Sequence, residues 1–150
     1  MGDVMGDGRA WRNDGTFHLM RRVMQAHHAL WRDRVPHLTP VQYGVLLSIR
    51  NLPGADQRTI GEAAAVEPTT LAALVPRLAS AGLITRCVCP DDRRRNNLEL
   101  TDAGREALQE AAPHVLAVRD ELLARLDDED ARHLRRILGA LAGGADAGPA

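Results

Sequence analysis

The sequence predicts a mostly α-helical chain carrying one short β-hairpin, and three observations carry that prediction. Apolar residues recur at helical spacing along most of the chain, proline and glycine punctuate them, and after Gly82 the period shortens to strand-like alternation over LITRCVC and NNLEL. At 150 residues, with 45% hydrophobic and 26% charged content, one domain with a real core is expected. No apolar run reaches the roughly 18–20 residues of a membrane span, and MGDVMGDGRAWRNDG lacks the apolar stretch of a secretion signal. Cys87 and Cys89 stand too close together to clamp the chain usefully, so a reduced, cytoplasmic protein is expected.

Residues 1–15 are Gly- and Asp-rich without periodicity and read as a disordered tail, leaving 16–150 as a single domain. From Thr16, Phe17, Met20, Met24, His27 and Trp31 fall on one helical stripe, which Leu19, Val23, Ala26 and Leu30 widen beyond what a small domain can cover; Pro36 ends it. LTPVQYGVLLSIRNLPG starts a second helix with Thr39 as cap and Pro40 in its first turn, and should bury Val41, Val45, Leu46 and Ile49. Asp56 caps a short helix, QRTIGEAAA. After a break at Val66-Glu67-Pro68, a further helix should bury Leu71, Leu74, Val75 and Leu78 and close at Gly82. Two short helices joined by a tight turn make a helix-turn-helix. The two strands enclose PDDRRR, a charged hairpin tip. Thr101 then caps a long helix, which Pro113 should kink, and Asp127 or Asp128 caps a last one closed by Gly143-Gly144.

A helix-turn-helix followed directly by a hairpin is a winged helix, at about 38–104, flanked by helices at about 16–35 and 102–142 suited to dimerisation. The second helix of the motif fits the DNA major groove, and a tip arginine fits a neighbouring minor groove. Net charge is only −1, and arginines and acidic residues balance between 57 and 106, so the argument rests on position and not on bulk charge.

LTPVQYGVLLSI, TIGEAAAVEPTTLAALVPRLASAGLI and above all PDDRRRNNLELTDAGR resemble the MarR-type transcriptional regulators, over about residues 16–142. The stretch DQRTIGEAAAVEPTTLAALVPRL looks like a branch of that family associated with aromatic-compound metabolism. The resemblance implies a homodimer joined through its first and last two helices, one winged helix per subunit, and binding to a double-stranded operator that a small ligand relieves. Repression is the expected mode. Asp92 and Arg94 match the family's wing pair, with Arg93 and Arg95 as auxiliary phosphate contacts, and Thr69, Thr70 and Arg77 match DNA-facing positions of the recognition helix. Three residues depart from the pattern: Ala72 and Ala73 stand where polar or basic side chains are frequent, and Pro76 removes an amide in mid-helix.

For a ligand, His27, His28 and Trp31 on the first helix and Tyr43 on the next offer stacking surface and hydrogen-bond donors suited to an aromatic acid or a phenol. Packing at a dimer interface is the competing reading of these four residues. Cys87-Val-Cys89 resembles the CVC of metal-sensing ArsR-type repressors, but on a strand with no histidine nearby in sequence, so small apolar strand residues are the simpler reading. No nucleophile–base pair, glycine-rich phosphate loop or paired carboxylates stand out, so no enzyme, resident cofactor or metal is expected. The acidic run Asp127–Asp130 reads as favourable charge at a helix start. The alternatives to a ligand-responsive repressor are a winged helix that binds DNA constitutively or acts mainly through protein contacts, and a thiol- or metal-sensing repressor using Cys87 and Cys89.

Overall fold

The computed structural model describes residues 15–88 and 96–143. The expected tail up to residue 14, Cys89, the hairpin tip with Asp92, Arg93, Arg94 and Arg95, and Gly144 lie outside the described residues. Six helices and two strands follow one another: α1 Thr16–Arg34, α2 Pro40–Asn51, α3 Gln57–Ala63, α4 Pro68–Ser80, β1 Ile84–Val88, β2 Asn96–Leu100, α5 Asp102–Leu123 and α6 Asp128–Leu141.

Local chemistry sets the helix starts. Thr39 and Gln42 form a reciprocal capping box: the Gln42 amide donates to Thr39 Oγ1 at 3.2 Å and the Thr39 amide to Gln42 Oε1 at 2.8 Å. Asp56 accepts from the Thr59 amide, Thr101 from the Gly104 amide and Asp127 from the Asp130 amide, so Asp127 and not Asp128 caps α6. Helical structure continues through both Pro76 and Pro113, although each proline leaves the carbonyl four residues earlier without a helical donor.

The winged-helix core gathers Leu46 of α2, Ile60 of α3, Leu71 and Leu78 of α4, Ile84 of β1 and Leu98 of β2, all essentially inaccessible. β1 and β2 pair antiparallel with Ile84 opposite Leu100 and Arg86 opposite Leu98, which puts Leu98 and Leu100 on the inner face. A single bridge from Asp56 to Asn97 lays the chain before α3 alongside β2. Val41 departs from the expected buried face of α2: it is 43% exposed, because the first turn of α2 projects past the edge of the core towards α4. Leu74 is only half-buried.

α1 packs along α5, and an Arg34–Glu121 ion pair ties the two helices together. Much of the apolar surface of this stem stays open. Phe17, Leu19, Met20, Val23 and Met24 of α1 are exposed, and α6 buries no residue at all while presenting Leu134, Ile137, Leu138 and Leu141. Each such side chain is worth about 1.5–3 kcal/mol when it leaves water. No helix among the described residues is long and apolar enough to cross a membrane.

Candidate nucleic-acid interface and effector crevice

The turn between α3 and α4 is held by backbone. The Val66 amide donates to the Gly61 carbonyl at 2.9 Å and the Ala65 amide to the Glu62 carbonyl at 3.2 Å, which closes α3 with Ala65 in the left-handed region at φ 52°. Gly61 leaves room for α4: a Cβ there would meet Leu71 Cδ2 at 3.0 Å and the Val66 carbonyl oxygen at 3.3 Å. Pro68 opens α4, which buries Leu71, Val75 and Leu78 and leaves Thr69, Thr70, Ala72, Ala73, Pro76 and Arg77 exposed. All three recognition-helix residues singled out from sequence (Thr69, Thr70 and Arg77) therefore face outward. Together with Ala73, Leu74 and Val41 they line a shallow groove of about 470 Å³; sequence reading had assigned both Val41 and Leu74 to the core.

The hairpin is anchored just behind this helix. Gly82, at φ 73°, ends α4: its amide donates to the Ala79 carbonyl and the Leu83 amide to the Leu78 carbonyl. Thr101 ties the same corner to the start of α5, because its hydroxyl donates to the Gly82 carbonyl at 2.6 Å and its amide to the Leu83 carbonyl at 3.1 Å. Arg105 donates to the Leu100 carbonyl at 2.9 Å and pairs with Asp102 at 2.6 Å. The Leu-Thr-x-x-Gly-Arg run is thus a structural joint that fixes the root of the wing to the stem. The tip beyond Val88, with its arginines, lies outside the described residues. Cys87 is half-exposed on β1, opposite Asn97.

The four crevice residues come together in one chain of ring contacts. The Trp31 ring meets Tyr43 edge-on at 5.7 Å and His27 at 5.6 Å, and His28 lies 5.6 Å from His27. Trp31 itself is only 6% exposed and its indole N–H donates to the Leu38 carbonyl at 2.6 Å. Its ring is therefore committed to packing and offers little open wall. His27 Nδ1 is buried without a hydrogen-bond partner among the described residues. Burial first, and the neighbouring His28 second, push the His27 pKa below the ordinary histidine value.

A cavity of about 510 Å³ opens at the joint between stem and winged helix, between the α1–α2 connection (Arg34, Pro36, His37), Leu83, and Glu110 and His114 of α5. Sequence reading missed it, since its walls are far apart along the chain and only His37 and His114 would have drawn notice. No cluster of three or more metal-ligating side chains occurs among the described residues.

Known proteins share this architecture. The MarR family model matches residues 38–95. The transcriptional regulator HosA of Escherichia coli O111:H- is 38% identical over 115 residues, which span 77% of this chain and 85% of that protein. The PcaV transcriptional regulator from Streptomyces coelicolor, in complex with its natural ligand, superposes with a TM-score of 0.84 at 32% identity, over 97% of this chain and 100% of that one. The transcriptional repressor CouR bound to a 23-mer DNA duplex superposes with a TM-score of 0.81 at 26% identity, over 91% of this chain and 99% of that one. CouR bound to p-coumaroyl-CoA superposes at 0.76 and 26%, over 93% and 98%. With a relative this similar over most of both chains, and a winged helix in the same place, the chain belongs to the MarR family of DNA-binding transcriptional regulators.

Proposed function

We propose that the chain acts in the cytoplasm as a homodimeric repressor, placing α4 of each subunit in the major groove of an operator and releasing it when a small aromatic acid, or its thioester, binds. The observation that carries the reading is the outward row of Thr69, Thr70, Ala73 and Arg77 on a helix fixed immediately before a hairpin, together with the likeness to a repressor bound to a DNA duplex. The PcaV and CouR complexes support a small-molecule effector, and the acyl thioester on CouR supports its aromatic class.

Arg94, between the ends of β1 and β2, is the wing's DNA contact, oriented by Asp92, with Arg93 and Arg95 on phosphates. Arg94→Ala should weaken operator binding by about 1–3 kcal/mol, or roughly five- to 150-fold, with the thermal midpoint unchanged. A gel shift on the chain's own upstream DNA over a salt series tests this. A pure phosphate contact lowers affinity evenly on all sequences and reduces the salt slope by about one unit, whereas a minor-groove contact costs more on A·T-rich flanks. Unchanged affinity removes the wing assignment, and no shift by the wild type favours a protein-contact role.

The dimer is held by the open faces of α1, α5 and α6, whose apolar side chains are uncovered in a single subunit. Obligate interfaces of this kind bury upwards of about 2,000 Å². Sedimentation equilibrium at micromolar concentration should give twice the 16.3 kDa chain mass; the monomer mass would overturn the assignment. The effector sits at the joint of stem and winged helix, with His27, His28 and Tyr43 meeting its polar end and Trp31 holding those side chains in place. The 510 Å³ cavity beside Arg34, His37 and His114 favours a second position at the same joint, being of the size that ligand pockets take.

A further inference from the structure

We propose that the recognition helix reads thymine, and reads it chiefly through the base's methyl group. This rests on the operator-binding reading above and names the chemistry by which the operator is chosen.

The exposed side of α4 is almost bare of base-reading groups. Thr69, Ala73, Pro76 and Ser80 recur at spacings of four, three and four, so they stack in one ridge opposite the buried Leu71, Val75 and Leu78. Ala72 and Thr70 flank that ridge. None of these side chains carries the forked donors or acceptors by which arginine grips guanine, or asparagine and glutamine grip adenine. The ridge presents methyl groups, a pyrrolidine ring and two hydroxyls. The one cation on the helix, Arg77, lies to the side, in the groove that Ala73 and Thr70 share with Val41.

Val41 is the second element. Val41 is 43% exposed on a helix that buries Val45, Leu46 and Ile49 and half-buries Leu47. Its placement beside Thr70, Ala73 and Leu74 extends the apolar strip of α4 sideways into a concave floor. In the major groove, thymine is distinguished from cytosine by its C5 methyl as well as by O4, and alanine, threonine and other apolar side chains are what such a methyl contacts. A ridge of Ala73 and Pro76 with a floor of Val41 matches one class of base edge. Arg77 at its border is placed for a phosphate or a guanine next to the thymine step. The alanines and proline that depart from the family pattern are thereby the readers and not gaps in the reading.

Selection of bound duplexes from a random pool by the full-length protein, followed by uracil-for-thymine replacement in the selected site, tests the proposal. Uracil removes only the methyl and leaves every hydrogen-bonding group of the base pair in place. Enriched sites should carry T·A pairs within each half-site, and uracil at those pairs should weaken binding about fourfold per contacted methyl, the weight of one buried methyl group. Uracil in the flanks should change nothing. Ala73→Ser, which replaces the central methyl of the ridge by a hydroxyl-bearing group of similar size, should lose the uracil effect at the pair Ala73 contacts and keep it at the others. Enriched sites that bind equally well with uracil overturn methyl reading while leaving sequence-specific DNA binding intact. No enrichment over random duplex overturns both this proposal and the operator-binding reading beneath it.

Discussion

Gly104→Ala should unfold the wing root and with it the domain, costing about 3 kcal/mol or more. On an exposed helix the same substitution would stabilise by roughly 1 kcal/mol through helix propensity, so the sign of the change is diagnostic. Here a Cβ would stand 2.0 Å from the Leu83 carbonyl oxygen, 3.0 Å from its carbon and 3.3 Å from Leu100 Cδ2. Neither side can easily give way. The Leu83 carbonyl accepts from the Thr101 amide, and the Leu83 amide closes α4. The Gly104 amide is held in turn by Thr101 Oγ1 at 3.0 Å. Overpacking a yielding site costs about 1–3 kcal/mol, and this site is backbone against backbone. Urea unfolding of the variant beside wild type measures the loss. A variant as stable as wild type would mean that α5 does not approach the hairpin root this closely. Operator binding should fall with the folded fraction, because the joint sets where the wing leaves the stem.

Gly104 also shows what the sequence made legible and what it did not. Four of the six helix starts were readable because each is settled within three residues: Thr39 with Gln42, Asp56 with Thr59, Thr101 with Gly104, Asp127 with Asp130. The hairpin was readable because alternation put Leu98 and Leu100 on one face, and both are buried. The glycine of LTDAGR could be recognised as part of a motif, but its cause, the Leu83 carbonyl, lies on another element. Val41 was misassigned for the converse reason. Its spacing matches Val45 and Ile49, yet periodicity cannot say where a core ends, and α2 begins one turn beyond that edge. The groove on α4 and the cavity at the joint are likewise built from segments far apart in sequence, which no local pattern brings together. For Trp31 the residue was visible and its commitment was not.

Trp31→Ala should cost about 3–5 kcal/mol, the range for removing a buried aromatic side chain. Three contacts go together: the edge of Tyr43, the ring of His27, and the donor to the Leu38 carbonyl. Trp31 and Val35 close the core where α1 turns into α2, so the loss falls on the connection between stem and winged helix. A reduced ligand response in this variant would therefore follow from loosening of the joint as readily as from a lost ligand contact. Trp31→Phe separates the two. It keeps an aromatic ring in the core and leaves the Leu38 carbonyl without its donor, at about 1–3 kcal/mol, a loss the fold should survive. Tyr43→Phe removes only the hydroxyl of a half-buried ring and should leave the thermal midpoint and ligand-free DNA binding unchanged. If Tyr43 meets the polar end of the effector, its variant should need a higher effector concentration to release DNA. Trp31→Phe should release at the wild-type concentration once its lower stability is allowed for. An effector works only by preferring the non-DNA geometry, and a preference of about 1–3 kcal/mol lowers operator affinity some five- to 150-fold. A small displacement of the joint is enough to express it, because a dimer reads half-sites about one helical turn apart. Wild-type dose responses in both variants would move the effector away from Tyr43, and the cavity walled by Arg34, His37 and His114 would then be the place to mutate next.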